Sequence, residues 1–250
     1  MGSIVEEHLL PYLVGLQLLF EKCESTGTAA DFDAEIYSGF MLEIRGEWIF
    51  VTAGHCLEKY LKLLDSGIYD CRSVRFADFL HPDDESDTSV PVTIEDGWHL
   101  HQPENDIDYG FFRFSFLVKE CLEERGVMAF TIPNTMLGPK FNFQFDVALL
   151  MGLPEHSSGL DKKNGVFEFT PHRYRVDNLQ VDQHVVVGNI STDDSIVGVS
   201  GGPIIGVRQM DDGVAVVPVA VQGKWNREDT ITAHRLDCVL NVIMEKYFPD

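Results

Sequence analysis

The sequence predicts an all-β fold, an antiparallel barrel or sandwich, on three observations. Short runs rich in apolar and β-branched residues recur along the chain, Gly, Pro, Asn and Asp punctuate them, and no regular alternation with long helices is present. A parallel α/β sheet would need a crossover helix between successive strands.

Taken in order, residues 4–22 read as an amphipathic helix packed on the body, carrying an apolar stretch over 9–20. Residues 40–45 and 48–52 form a hairpin signature around Gly46 and Glu47. Further strands are expected at 90–94, 109–116, 141–151, 166–169, 183–187, 203–207 and 214–221. A helix is expected at 57–64. Another is expected over 233–247, where Leu236, Leu240, Ile243 and Tyr247 share one face. Residues 119–139 read as a link between two lobes, and residues 81–87 (HPDDESD) as a charge-dense loop. These divisions give an N-terminal helical extension over 1–30 and two β units over 31–125 and 126–250.

Composition narrows the function classes. The 250 residues include 40 Asp and Glu against 19 Lys and Arg, a net charge of −21, and such a field repels a phosphate backbone. No nucleic acid is expected as a partner. Glu6, Glu7 and His8 precede the first apolar stretch where a signal peptide carries positive charge, Pro11 interrupts it, and it is too short to span a bilayer. Cys23, Cys56, Cys71, Cys121 and Cys238 are odd in number and have no metal-ligand spacing, which argues against a disulfide framework and a zinc site. The expectation is a cytoplasmic protein with reduced thiols, no membrane partner and no cofactor.

Three short motifs stand out. Thr52-Ala53-Gly54-His55-Cys56 ends the second hairpin strand, and Asp106-Ile107-Asp108-Tyr109-Gly110-Phe111-Phe112-Arg113-Phe114 puts acidic residues at the start of an alternating strand. Asp194-Ser195-Ile196-Val197-Gly198-Val199-Ser200-Gly201-Gly202-Pro203 precedes an apolar run. The chemistry they suggest is nucleophilic catalysis. A serine hydroxyl needs a neighbouring base, an imidazole with pKa about 6.5 can take and return a proton, and a carboxylate behind it holds the tautomer. Asp106 and Asp108 are both candidates for that carboxylate.

These motifs, in this order, resemble the trypsin/chymotrypsin-like serine proteases, over roughly residues 36–245. The resemblance implies two packed antiparallel six-stranded β-barrels and an endopeptidase working through an acyl-enzyme on a protein or peptide substrate. His55 would be the base, Ser200 the nucleophile, and the amides of Gly198 and Ser200 the oxyanion donors. The family's strand pattern of Asp, any residue, a small residue and then alternating apolar residues fits from Asp108, with Gly110 as the small residue. From Asp106, the charged Asp108 would fall in the small position.

The family's primary pocket implies a role for Asp194, six residues before the nucleophile, favouring Arg or Lys before the cleaved bond. Lys224 and Asp193 bear on that charge. The pocket wall corresponds to Val221, Gln222 and Gly223. The chain departs from secreted members in two places: Val199 replaces the acidic residue that pairs with a newly cut amino terminus, and Cys56 has no partner cysteine in the stretch 37–41. Both departures fit an intracellular protease that is either constitutively folded or controlled by a regulatory protein partner, and the rival reading is a latent or non-catalytic interaction module of the same fold. The acidic loop lies where some members bind calcium, but it lacks EF-hand spacing and reads as a solvated loop.

Overall fold

A computed structural model describes residues 8–23, 32–80, 89–132, 144–161, 166–192, 194–211 and 213–249. Its first unit is an eight-stranded sheet. The strands are β1 (Leu13–Lys22), β2 (Phe32–Ile44), β3 (Glu47–Thr52), β4 (Tyr69–Ala77), β5 (Val90–Pro91), β6 (Glu95–Gln102), β7 (Ile107–Arg113) and β8 (Phe130–Thr131). They run β5-β4-β1-β2-β3-β7-β6, all antiparallel, with β8 added in parallel to β2. The second unit is a closed barrel of β9 (Val147–Gly152), β12 (His172–Val181), β13 (Val185–Ile190), β14 (Pro203–Met210), β15 (Gly213–Trp225) and β16 (Thr230–Arg235), in the order β12-β13-β16-β15-β14-β9. Outside both, β10 (Ser158–Asp161) and β11 (Val166–Phe169) form a hairpin. Among the described residues the α-helices are α1 (Gly54–Asp65), α2 (Phe116–Glu124) and α3 (Leu236–Tyr247).

The all-β class holds, and two parts of the expected architecture are corrected. The segment expected as a helix over 4–22 is, from Leu13, the interior strand β1, paired with β2 on one side and β4 on the other. Its run Leu13–Phe20 is almost wholly buried because both faces of the sheet are covered there, and a strand covered on both faces shows no alternation to distinguish it from a buried helix. The first unit is also not a closed six-stranded barrel among the described residues, since β6 and β5 end the order unpaired with each other. The expected link over 119–139 includes most of α2 and also β8, which pairs with β2, so residues 130–131 belong with the first sheet. The acidic loop at 81–87 and Asp193 lie outside the described residues.

One hydrophobic core runs through both units. Phe40, Ile49 and Phe111 of the first sheet join Leu153, Ile205 and Val221 of the second unit and Leu236, Val239, Leu240 and Ile243 of α3. The face expected for this helix, Leu236, Leu240, Ile243 and Tyr247, is the buried one. Tyr247 closes the seam, donating its hydroxyl to the Asp96 carbonyl at 2.7 Å while the Arg113 guanidinium lies 4.4 Å from its ring centroid. Burial of this shared face, at about 25 cal/mol per Å² of apolar surface, is what holds the two units as one body. Among the described residues, no helix is long and apolar enough to cross a membrane.

Candidate active site

The sequence makes β3 run directly into α1 at Ala53, which is extended (φ −71°, ψ 147°) and caps the helix without a side-chain bond. Gly54 is required at this corner. A Cβ there would lie 2.3 Å from the Leu100 carbonyl oxygen of β6 and 2.8 Å from that of Tyr109 of β7. The absence of a side chain lets the helix start press onto these two strands, which brings His55 to Asp108 at the head of β7. The backbone N–H of His55 donates to Asp108 Oδ1 at 2.8 Å, and Nδ1 lies 2.6 Å from Oδ2. Because an ionised carboxylate only accepts, Nδ1 carries a proton in either charge state of the ring, and in the neutral ring Nε2 keeps a free lone pair. Burial acts against the charged imidazole, but the Cys56 sulfur and the Asp108 carboxylate outweigh it, and the pKa of His55 is raised above its ordinary 6.5. An NMR titration of the His55 ring should therefore give a midpoint above 6.5, and Asp108→Asn should move it down. A wild-type midpoint at or below 6.5 contradicts the pairing.

Of the two candidate carboxylates, Asp108 faces the imidazole. Asp106, in the left-handed region at φ 52°, instead pairs with the Lys224 ammonium at 3.0 Å. Behind Asp108, the buried His234 stacks on Tyr109 with ring centroids 4.5 Å apart. Its pKa is pushed down to about 4, mainly by burial and then by His184, so at neutral pH it adds no charge to the site. Beside His55 lies the His101 ring, at 5.7 Å, held by Glu58 of α1 at 2.9 Å. Cys56 is buried.

Ser200 comes from the second unit, on the turn before β14, and lines the same cleft as His55 and Gly198. The Ser200 hydroxyl donates to the Gly223 carbonyl at 3.4 Å and not to His55. Gly198 sits at φ 96°, where a Cβ would lie 2.7 Å from both the Glu155 nitrogen and the Leu153 oxygen. The next turn residues are bound: Val199 N–H donates to Ile196 O, Gly201 N–H to Gln222 O, and Gly202 N–H to Val199 O. The amides of Gly198 and Ser200 have no backbone acceptor among the described residues. Two such N–H groups beside a serine hydroxyl form an arrangement suited to an oxyanion.

The cleft has a volume of about 600 Å³, within the range of ligand sites. Three of the lining residues carry a buried polar atom with no hydrogen-bond partner, the Tyr37 hydroxyl, Ser158 Oγ and Trp225 Nε1. The residues expected to bind substrate are distributed differently. Gly223 accepts the Ser200 bond and lies against Asp108. Val221 and Gln222 are buried and do not line the cleft, while the later residues Trp225 and Arg227 do. Asp194 is exposed and outside the lining, its N–H held by Thr192 Oγ1 at 3.1 Å. Lys224 pairs with Asp106, not Asp194. Tyr37, Ser158 and Trp225 carried no sequence signal, because each is an ordinary residue of a strand or strand start.

A thermostable serine protease, AL20, from an extremophilic microorganism shares this architecture, with a TM-score of 0.50 and 14% identity over 96% of this chain and 98% of that one. A scabies mite inactivated protease paralogue, S-D1, has a TM-score of 0.55 and 14% identity over 96% and 93%. The fold is that of the chymotrypsin-like serine proteases. No family model matches the sequence, and none of the curated proteins does. All five cysteines are free, and no group of three or more metal-ligating side chains occurs among the described residues.

Proposed function

We propose that this chain is a serine endopeptidase that hydrolyses peptide bonds through an acyl-enzyme. The observation that carries the reading is the doubly bonded His55–Asp108 pair sharing one cleft with Ser200 and two unpaired amides. Ser200 Oγ attacks the peptide carbonyl carbon while its proton passes to His55 Nε2. Asp108 keeps the proton of Nδ1 in place and stabilises the imidazolium. Negative charge developing on the carbonyl oxygen is met by the Gly198 and Ser200 N–H groups. His55 then gives its proton to the leaving amine, and water, activated by the same base, releases the acid product. In this reading Ser200 Oγ leaves the Gly223 carbonyl for the imidazole when substrate is bound, since catalytic hydrogen bonds commonly tighten only then.

The cleft beside Ser200 is lined by Ile196, Val197 and Trp225. The exposed position of Asp194 removes the desolvated carboxylate on which an Arg or Lys preference would rest, so the proposal carries no basic side-chain requirement. The five free thiols support a reducing, cytoplasmic location.

A second reading is a latent or non-catalytic module that needs a partner protein. The Ser200 bond to Gly223 favours it, as does the similarity of fold to an inactivated protease paralogue. A fluorophosphonate probe separates the two readings. Covalent labelling of the wild type that is lost in Ser200→Ala is the expected result. Absence of Ser200-dependent labelling overturns the enzymatic reading in favour of the module.

A further inference from the structure

We propose that Ser38 is a positioning residue for the amide pair beside Ser200, an inference that rests on the catalytic reading and deepens it. Ser38 lies in β2, is fully buried, and belongs to the first unit. Its hydroxyl donates to the Gly198 carbonyl at 3.0 Å and accepts from the Leu153 N–H at 2.8 Å, both in the second unit. Its own carbonyl accepts from Thr52 Oγ1 at 2.7 Å. One side chain therefore ties β2 to the turn before Ser200 and to the segment after β9.

The turn needs such a hold. Gly198 has no side chain and sits in the left-handed region, so the peptides on either side of it rotate at little steric cost. Each is held from outside the turn, and the second also from within it, where the Val199 N–H donates to Ile196 O at 3.1 Å. The Glu155 N–H binds the Val197 carbonyl at 2.6 Å, which directs the trans Gly198 N–H the opposite way, and Ser38 binds the Gly198 carbonyl. The position after Gly198 is the buried apolar Val199, which offers no charge to anchor the turn. The hydroxyl also answers a packing question: alanine or valine would fill this site in a strand otherwise lined by Tyr37, Phe40 and Met41, whereas only a donor and acceptor together satisfies Gly198 O and Leu153 N.

The test uses the full chain with Ser38→Ala and Ser38→Cys. On a peptide amide substrate, Ser38→Ala should lower kcat by at least about tenfold, toward the ~10²–10³ that loss of an oxyanion donor brings. KM should stay within about twofold, since the contact acts on the transition state. A peptide aldehyde, which forms an oxyanion on Ser200, should bind more weakly by the factor that kcat/KM falls. Ser38→Cys, keeping a weak S–H donor, should fall between wild type and alanine, and it carries the test where the alanine variant does not fold. Independently of activity, the ¹⁵N resonance of Gly198 should move in Ser38→Ala. An unmoved Gly198 resonance overturns the hold on the turn whatever the activity. A loss confined to KM and thermal stability, or a cysteine variant no better than alanine, overturns the positioning role. Absence of fluorophosphonate labelling in the wild type instead overturns the catalytic reading, and with it the use assigned to the hold.

Discussion

Ser200→Ala is expected to lower kcat on a peptide substrate by about 10⁶, the scale seen when such a nucleophile is removed, with the melting temperature nearly unchanged. The two parts of that expectation have different origins. The chemical loss follows because, among the described residues lining the cleft, Ser200 is the hydroxyl on the turn that carries the Gly198 and Ser200 amides. Tyr37 and Ser158 also line it, but they belong to β2 and β10 and not to the turn that carries Ser200. The structural cost is small because the hydroxyl makes one long bond, 3.4 Å to Gly223, from a half-buried position. Steady-state kinetics beside a thermal melt checks both. A variant that keeps more than about a hundredth of wild-type kcat is incompatible with a Ser200 nucleophile.

Asp108→Asn should come next, lowering kcat by about 10⁴ while leaving the backbone in place. The asparagine oxygen still accepts the His55 N–H, so the start of α1 keeps its anchor. Its amide group then donates toward Nδ1, which forces the ring proton onto Nε2, where the base must accept. Asp106→Asn is the matched control. It removes one exposed ion pair with Lys224, worth about 0–1 kcal/mol, and should leave kcat within a few fold. Equal losses in the two variants would show that net charge near the cleft, and not the His55 contact, is responsible.

The parts of this molecule that were legible in the sequence are those where local backbone demands chose the residues. At the corner from β3 to α1, a Cβ on Gly54 would collide with two strands. At Gly198 and Gly201 the chain is in the left-handed region, and a Cβ on Gly201 would come 2.2 Å from Thr52 Oγ1. Such constraints act within a few residues, so TAGHC and GVSGGP carry them as strings. The face of α3 was legible for a similar reason, since one helix buried on one side writes its contact into a 3.6-residue period.

Elements defined by distant partners were not legible. β1 reads as a helix because its run of Leu, Val and Phe is buried on both faces of the sheet by distant parts of the chain, which leaves no alternation. β4, β6 and β12 give no strand signal in the sequence because their exposed faces break the apolar runs with Arg, Asp, Glu and His.

The residues of the candidate site were set by sequence alone: a histidine, two competing aspartates and a serine among glycines, each at a position the backbone could name. The tertiary structure decided which of them meet. Asp108 was chosen over Asp106 because β7 crosses α1 at that residue, and Asp194 was left in solvent while Trp225 turned into the cleft. Ser38 acquired its contacts only when the two units closed on each other. The physical reason is range. Steric limits on φ and ψ are local and leave a mark in the string, whereas a hydrogen bond between residues 160 apart depends on every contact that packs one unit against the other.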